Sequence, residues 1–349
     1  MISCARPVHV CNDANGLTGG LELRVFSGIE GGATRTVCVV GDETGRLFAA
    51  RYGAAANYLT VGIAEMTRSI ANSLKKALDA AELRRPPEAV YAGLAGVGLL
   101  SPRRAVDRAV KKATRAKKVF VNSDGYVALY GSFLRRPGMI LVSGTGSVAM
   151  GFDEKGRLAR VGGWGHILGD EGSAFHLGLE GIRAVVRAHD GSLPMTSLTE
   201  RALSFFRIRH ADELVKAFYM EDVRKDRLAK FSKDVVDAAT QGDEVATGIV
   251  NSEIMALKST VTVLRKKLSL SNPKLVLCGG VFEGSQWFKG KFVEALGNEV
   301  EVVEPQYRPV TGAFMLALDL CGIELTPEVL RNISRSERVL TQMKARRLL

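Results

Sequence analysis

One six-residue segment occurs twice in the chain, 111 residues apart, and it constrains the fold more than any other feature. Asp-Glu-Thr-Gly-Arg-Leu at 42–47 is nearly reproduced by Asp-Glu-Lys-Gly-Arg-Leu at 153–158. Each copy follows two apolar segments separated by a glycine-rich turn, which predicts the same three-strand meander in both places. Two unrelated hairpins with common turn chemistry would give a similar pattern. The other interpretation is that the chain contains a duplicated α/β lobe.

The residues outside the meanders alternate between helical and strand patterns. Residues 62–81 place apolar side chains at helical intervals, an apolar strand follows at 89–92, and a basic amphipathic helix at 103–118 leads into a strand at 119–121. This alternation predicts α/β lobes. If each lobe presents its glycine turn at the same strand end, a cleft forms between them with backbone N–H groups on both sides. Such a cleft suits a polyphosphate.

Length and composition exclude several classes of protein. The chain has 349 residues, which is enough for about two domains. Its longest apolar run, residues 89–100, carries three glycines and is shorter than the ~20 residues of a membrane span. The first 22 residues are too polar for a signal peptide, and the five cysteines show no zinc-binding spacing. We therefore expect a cytoplasmic protein with free thiols and no membrane partner.

The net charge of +11 comes from two short basic runs. Residues 103–118 carry eight Lys or Arg against one acid, and residues 331–347 carry six against one, so the remainder of the chain is nearly neutral. In the first run the apolar residues recur at helical spacing, which makes the basic residues the solvated face of a helix. The charge therefore predicts no nucleic-acid partner.

Three glycine turns are candidate phosphate contacts. Neither G-x-x-x-x-G-K-[ST] nor G-x-G-x-x-G occurs between a strand and a helix, so P-loop and Rossmann sites are unsupported. Glycine turns let backbone amides approach phosphate oxygens without an intervening Cβ. Each alone would be an ordinary hairpin, but three in one chain favour a nucleotide site. The turn residues are Gly31, Gly32, Ala33 and Thr34; Gly144, Thr145, Gly146 and Ser147; and Gly279 and Gly280.

Asp124 is the candidate catalytic base. It follows the apolar strand at 119–121 and so lies at a strand's carboxyl end, where α/β folds place their sites. A carboxylate there could take the proton of an attacking hydroxyl during phosphoryl transfer. An aspartate at this position also suits a helix N-cap.

A glycine-rich loop at 162–173 indicates a second binding element. It holds five glycines in twelve residues around Trp164, His166, Asp170 and Glu171. So many glycines are costly to order unless a close backbone approach requires them. Ser173 suits the N-cap of the following helix, whose dipole favours ionised carboxylates able to accept sugar-type hydroxyls. A purely structural capping loop would show the same pattern.

Together these motifs resemble the N-acetylglucosamine kinase group of the BadF/BadG/BcrA/BcrD ATPase family. The resemblance runs from about Val25 to Ala317. It implies an α/β fold of duplicated RNase H-like lobes, the actin-like ATPase fold, with an interdomain cleft. The motifs that carry it are the segment 28–36 (Gly-Ile-Glu-Gly-Gly-Ala-Thr-Arg-Thr), Gly144-Thr145-Gly146-Ser147, Gly163-Trp164-Gly165-His166, Asp170-Glu171-Gly172-Ser173 and Gly279-Gly280-Val281.

The resemblance implies a role for each matching position. Asp124 matches the base that accepts the sugar hydroxyl proton, and Glu30 is the nearest carboxylate to a Mg²⁺ ion held through phosphates and water. The implied ATP contacts are Gly31, Gly32, Ala33, Thr34, Gly144, Thr145, Gly146, Gly279 and Gly280. The implied sugar contacts are Asn57, Asp124, Ser147, Gly163, Trp164, Gly165 and Asp170. The cofactors would be ATP and Mg²⁺, and the assembly a homodimer.

The predicted activity is transfer of the ATP γ-phosphoryl group to a hydroxyl, at C6, of N-acetylglucosamine, glucosamine or a related hexose. Ala33 replaces the third glycine of the family's first turn, which is tolerated if its φ is negative. Val148 stands where animal enzymes have a sugar-contacting asparagine, so a glucosamine or broad hexose kinase stays open. The alternative function is an ATPase or nucleotide sensor that drives a partner protein.

The predicted organisation is an N-terminal extension (1–24), two actin-like lobes (25–137 and 138–325) and a basic C-terminal tail (326–349).

Overall fold

Two five-stranded mixed sheets form the framework of the protein in a computed structural model that describes residues 23–98, 103–220 and 225–345. In the first sheet the strand order is β3-β2-β1-β4-β5, and in the second it is β10-β9-β6-β7-β8. The strands are β1 (Val25–Gly31), β2 (Thr36–Asp42), β3 (Leu47–Gly53), β4 (Ala89–Leu94), β5 (Lys118–Ser123), β6 (Gly138–Ser143), β7 (Ser147–Phe152), β8 (Leu158–Gly162), β9 (Lys274–Cys278) and β10 (Glu301–Val302).

The two sheets share one topology. In each, three consecutive strands form an antiparallel meander, and two further strands join parallel to the first strand of that meander. The predicted duplicated α/β fold is therefore confirmed.

The repeated six-residue segment makes the same turn in both sheets. Asp42 Oδ1 accepts from the backbone N–H groups of Thr44 and Arg46, and Asp153 Oδ1 accepts from those of Lys155 and Arg157. Carboxylate bonding to the amides that follow is the mechanism by which Asp favours turns.

Twelve helices occur in the described residues. They are α1 (Tyr58–Ala80), kinked at Gly62, α2 (Arg103–Thr114), α3 (Asp124–Phe133), α4 (Ala174–His189), α5 (Leu198–Phe206), α6 (Glu213–Tyr219), α7 (Lys225–Thr240), α8 (Glu244–Leu268), α9 (Gly280–Gly284), α10 (Gln286–Leu296), α11 (Pro309–Asp319) and α12 (Pro327–Ala345). None of the helices in these ranges is long and apolar enough to cross a membrane. The basic amphipathic helix predicted over 103–118 is α2, whose Val106 and Val110 are buried.

Helices cover both faces of each sheet. One face of the first sheet packs on α1 and α2, and the other packs on α3 and α11. One face of the second sheet packs on a large core that includes α4, α7 and α8, and the other packs on α3. Helix α3, which begins at Asp124, thus contacts both sheets and lies between the two halves.

The last helices return to the first sheet. A side chain at Gly28 in β1 would overlap the backbone of Val310 and Phe314, so α11 lies directly on that strand. Helix α12 lies beside β3 and buries Ile333. Residues from both ends of the described chain therefore build one core. The predicted lobe boundaries stay predictions.

Candidate active site

Two carboxylates from the first sheet lie at the carboxyl ends of its parallel strands. Glu30 in β1 pairs with Gly93 of β4, which pairs with Asn122 of β5, so the three strands end in one row. Asp124 directly follows the last residue of β5 and begins α3. Ligands of α/β folds bind at this edge of the sheet.

The helix cap at this edge is Ser123 and not Asp124. The Ser123 hydroxyl accepts from the N–H of Tyr126, and Asp124 occupies the first helical position with Oδ1 accepting from the Gly125 N–H at 2.9 Å. Burial raises the pKa of Asp124, and the Gly125 hydrogen bond opposes that rise. A carboxylate with a raised pKa is a stronger base toward a hydroxyl proton.

The second half of the chain contributes negative charge to the same region. Burial, followed by the charge of Asp124, raises the pKa of Glu30 to about 7, and Glu283 of α9 adds to the rise. Burial raises the pKa of Cys278, at the end of β9, to about 12, with contributions from Glu283, Glu30 and Asp124. Groups of both halves thus lie close enough to act on one another electrostatically.

This cluster fits a hydrated magnesium ion and not a protein cage. Glu30 supplies an oxygen ligand of the kind that Mg²⁺ prefers, and Mg²⁺ usually takes one or two carboxylates and completes its shell with waters and phosphates. Within the described residues no three His, Cys, Asp or Glu side chains are grouped closely enough to hold a metal by themselves.

The first glycine turn joins β1 to β2. Gly32 donates its N–H to Arg35 O at 2.8 Å, which tightens the turn, and Ala33 does not have a positive φ, so its methyl group adds no backbone strain. The N–H groups of Ala33 and Thr34 donate to no acceptor in the described part of the chain. Both amides are available to a ligand.

The second glycine turn joins β6 to β7 in the same way. Gly144 donates its N–H to Gly146 O at 2.9 Å, and the N–H groups of Thr145 and Gly146 find no protein acceptor among the described residues. The third turn lies beside it, because a side chain at Gly279, whose φ is +101°, would overlap Ser143 O. Gly280 begins α9.

Asp170 and Ser147 support the second glycine turn through hydrogen bonds within the protein. Asp170 is 4% exposed, has a φ of +70° and accepts the Ser147 N–H on Oδ1 at 3.2 Å. The Ser147 hydroxyl donates to Glu171 O at 2.7 Å. The structure therefore engages both polar groups in the protein, where they support the turn. Their predicted contacts with a sugar stay predictions.

The segment that follows Asp170 is itself anchored to α8. Glu253, 4% exposed, accepts the Gly172 N–H on Oε2 and contacts His176 Nδ1 through Oε1 at 2.7 Å. The hydrogen bond with Glu253 raises the pKa of His176. Lys225 of α7 donates to Asp170 Oδ2 at 2.9 Å. Two helices thus fix the support of the second glycine turn.

The Trp164 loop, residues 163–169, connects β8 to the segment that begins at Asp170. Gly163 donates its N–H to Ser147 O at 3.0 Å, and both Gly163 and Gly165 have a positive φ, which explains the glycines. Trp164 is 61% exposed. Ser173 caps α4 as predicted, accepting from the His176 N–H.

Asn57 is a helix cap. Its Oδ1 accepts the Leu59 N–H at 3.1 Å at the start of α1 and lies close to Gly96. Its predicted contact with the sugar stays a prediction.

Sequence reasoning missed Glu253, Lys225 and His176. Glu253 had a signal, because it lies among the apolar residues of α8 that face the core, between Val250 and Ile254. An acid in such a stripe requires a buried partner. Lys225 and His176 had none, since their partners lie 55 and 77 residues away in the chain.

Comparison with known proteins agrees with the motifs. A model of the BadF/BadG/BcrA/BcrD ATPase family matches residues 27–317. An N-acetylmuramic acid/N-acetylglucosamine kinase from Clostridium acetobutylicum is 30% identical over 238 residues, which are 67% of this chain and 78% of that protein. An N-acetyl-D-glucosamine kinase from Dictyostelium discoideum is 28% identical over 321 residues, 86% of this chain and 99% of that protein.

A solved structure from Chromobacterium violaceum, assigned as an N-acetylglucosamine kinase, superposes with a TM-score of 0.71 at 24% identity. The superposition covers 84% of this chain and 99% of that one, and it shows a shared fold. The family model spans both sheets and all three glycine turns. The chain therefore belongs to the BadF/BadG/BcrA/BcrD ATPase family.

Proposed function

We propose that the protein is an ATP-dependent sugar kinase that transfers the γ-phosphoryl group of ATP to the C6 hydroxyl of a hexosamine. The observation that carries the proposal is the position of Asp124, which follows β5 at the carboxyl ends of the parallel strands. It acts electrostatically on Glu30 and Cys278, the residues that directly precede the first and third glycine turns. Relatives named as kinases of N-acetylglucosamine and N-acetylmuramic acid support the acceptor class.

In this mechanism the two glycine turns hold the phosphates. The amides of Ala33 and Thr34 on one side and of Thr145 and Gly146 on the other donate to phosphate oxygens, and Gly279 and Gly280 lie beside the adenosine. Fixed donors of this kind stabilise charge in the transition state without reorganising. The Glu253 and Lys225 anchors keep the second pair in place.

Asp124 acts on the acceptor. Its free carboxylate oxygen accepts the hydroxyl proton as the oxygen attacks the γ-phosphorus, while Gly125 holds the other oxygen. When bound with ATP, Mg²⁺ would neutralise charge on the phosphate oxygens, and Glu30 is the residue that would hold it through water. Closure of the two halves excludes water, so that the sugar is the acceptor.

The acceptor wall contains Val148 where an amide side chain would recognise an N-acetyl group. Val148 lies on β7 and packs with Met150 on the face that α3 covers. Because an apolar wall tolerates acceptors with and without the acetyl group, we expect N-acetylglucosamine and glucosamine both to be phosphorylated.

The test is ADP release in the presence of ATP, Mg²⁺ and a panel of sugars. We expect release that depends on a hexosamine, and Asp124→Asn should lower kcat by about 10²–10⁴-fold while ATP still binds. Asp79→Asn, at an exposed ion pair with Lys75, is the matched control and should behave as the wild type. ATP turnover indifferent to every sugar would favour the alternative ATPase, and near-full activity of Asp124→Asn would remove that residue from the base role.

A further inference from the structure

Arg160 lies on the edge strand β8, on the sheet face that carries the candidate base. In β8, Ala159 and Val161 pack toward the core that contains α8, so Arg160 between them points to the opposite face. Its cross-strand partner is Met150 of β7. Met150 belongs to the cluster under α3, and a Cβ at Gly125 would lie 3.0 Å from its sulfur. Arg160 is therefore separated from the residue next to Asp124 by one side chain.

The guanidinium of Arg160 is held by an aromatic ring and has no acidic partner. Its central carbon lies 5.2 Å from the centroid of the Trp164 ring. Within the described residues, no carboxylate lies within ion-pair distance of it and no hydrogen bond engages its N–H groups. Arg160 is half-buried. Stacking on a ring orients the planar guanidinium and leaves its N–H edge free for bidentate contact with an anion.

Arg160 lies beside Val148 and Trp164, two positions that the family resemblance associates with the acceptor sugar. A Cβ built on Gly163 would lie 3.0 Å from Val148 Cγ2 and 3.8 Å from Arg160 Nη1. Val148, Arg160 and Trp164 thus form one wall. Met150, the cross-strand partner of Arg160, lies three residues after Ser147, where β7 begins. This pair is therefore about 10 Å from the second glycine turn.

We propose that Arg160 binds a carboxylate carried by the acceptor sugar, so that the enzyme accepts hexosamines with an acidic substituent. The inference rests on the proposed sugar kinase activity and names a substrate class for it. A half-buried guanidinium without an anionic partner is a costly arrangement for a wall that meets only neutral sugars, because the charge loses hydration and gains only the contact with Trp164. A carboxylate on the ring would accept two parallel N–H bonds from the guanidinium edge while the reacting hydroxyl faces Asp124.

The test compares N-acetylmuramic acid with N-acetylglucosamine, two acceptors that differ by one lactyl ether with its carboxylate. We expect the wild type to phosphorylate both. In Arg160→Met, the ratio of kcat/KM for the acidic sugar to that for the neutral sugar should fall by about ten- to a hundredfold, the usual value of a charge-assisted pair. Arg160→Lys should recover part of the loss, since it keeps the charge without the fork. Arg183→Met, at an exposed ion pair on α4, is the control and should leave the ratio unchanged.

Several outcomes would overturn the inference. An unchanged ratio in Arg160→Met, or a wild type that phosphorylates only the neutral sugar, removes the carboxylate site while the kinase activity stands. A rise in KM for ATP with no change in the ratio would assign Arg160 to the nucleotide. Calorimetric binding of both sugars to the same variants decides the question without turnover. Selective loss of acidic-sugar affinity in Arg160→Met supports the site even if catalysis fails, and equal affinities refute it.

Discussion

Removal of Glu253 should weaken both the fold and the nucleotide site, although this residue lies on α8 behind the second glycine turn. Its carboxylate is the acceptor for the Gly172 N–H and the partner of His176. Gly172 is buried, so Glu253→Ala leaves an amide without an acceptor and His176 without its hydrogen-bond partner. Breaking a buried charged pair from one side costs about 3–5 kcal/mol, a large share of the ~5–15 kcal/mol of a typical protein.

The isosteric change separates the charge from the shape. Glu253→Gln keeps an oxygen for Gly172 but loses the charge, so we expect a loss of about 1 kcal/mol at neutral pH. The hydrogen bond with Glu253 raises the pKa of His176 in the folded state. The stability that this pair contributes is therefore fully present at pH values below about 6.5, the pKa of histidine in the unfolded chain. It is lost as the pH rises through the raised folded value. The difference between wild type and Glu253→Gln should therefore shrink from pH 6 upward.

Urea denaturation at pH 6 and at pH 9 measures the loss of stability and its pH dependence. The KM for ATP reports whether the second glycine turn still binds the nucleotide. We expect that KM to rise in Glu253→Ala, because the segment that supports the amides of Thr145 and Gly146 loses its anchor. Glu294→Gln and Glu294→Ala, at a side chain 71% exposed on α10, are the controls. A Glu253→Ala protein with wild-type stability and an unchanged KM for ATP would refute the anchoring role.

Two further predictions test the packing of α11 and the charge at the cleft. Gly28→Ala should destabilise the protein by about 2 kcal/mol or more in urea denaturation, because its methyl group overlaps the α11 backbone, whereas Gly248→Ala on open surface of α8 should be neutral or stabilising; equal effects would contradict the close approach. Glu30→Gln should stabilise the ligand-free protein at pH 8 but not at pH 5, because the raised pKa of Glu30 makes its ionisation unfavourable for the fold as pH rises above the unfolded value near 4.5 and through about 7. A stability difference independent of pH would show that Glu30 ionises freely.

Local signals were enough to predict the repeated architecture. The two Asp-x-x-Gly turns use hydrogen bonds between residues two and four apart, so their geometry is contained within six residues. The same holds for the Ser173 cap and for the amphipathic α2.

Long-range pairing could not be predicted in the same way. Nothing within α7 or α8 indicates that Lys225 and Glu253 meet the segment after Asp170, since these contacts arise only when the lobe has folded. The motif comparison assigned Asp170 and Ser147 to the sugar by position, whereas the structure engages both side chains within the protein. The roles of the remaining site residues and the homodimer stay predictions.

The return of α11 to β1 affects how the protein folds during synthesis. Strands β6 to β10 and the helices between them leave the ribosome before α11, so the second sheet can assemble while the first still lacks α11 on the face that α3 also covers. Phe26 and Val39, which share a core with Phe314, then remain without that partner until translation is nearly complete. Nascent chains that stall before residue 309 should accordingly recruit chaperones, since exposed apolar strands of this kind aggregate.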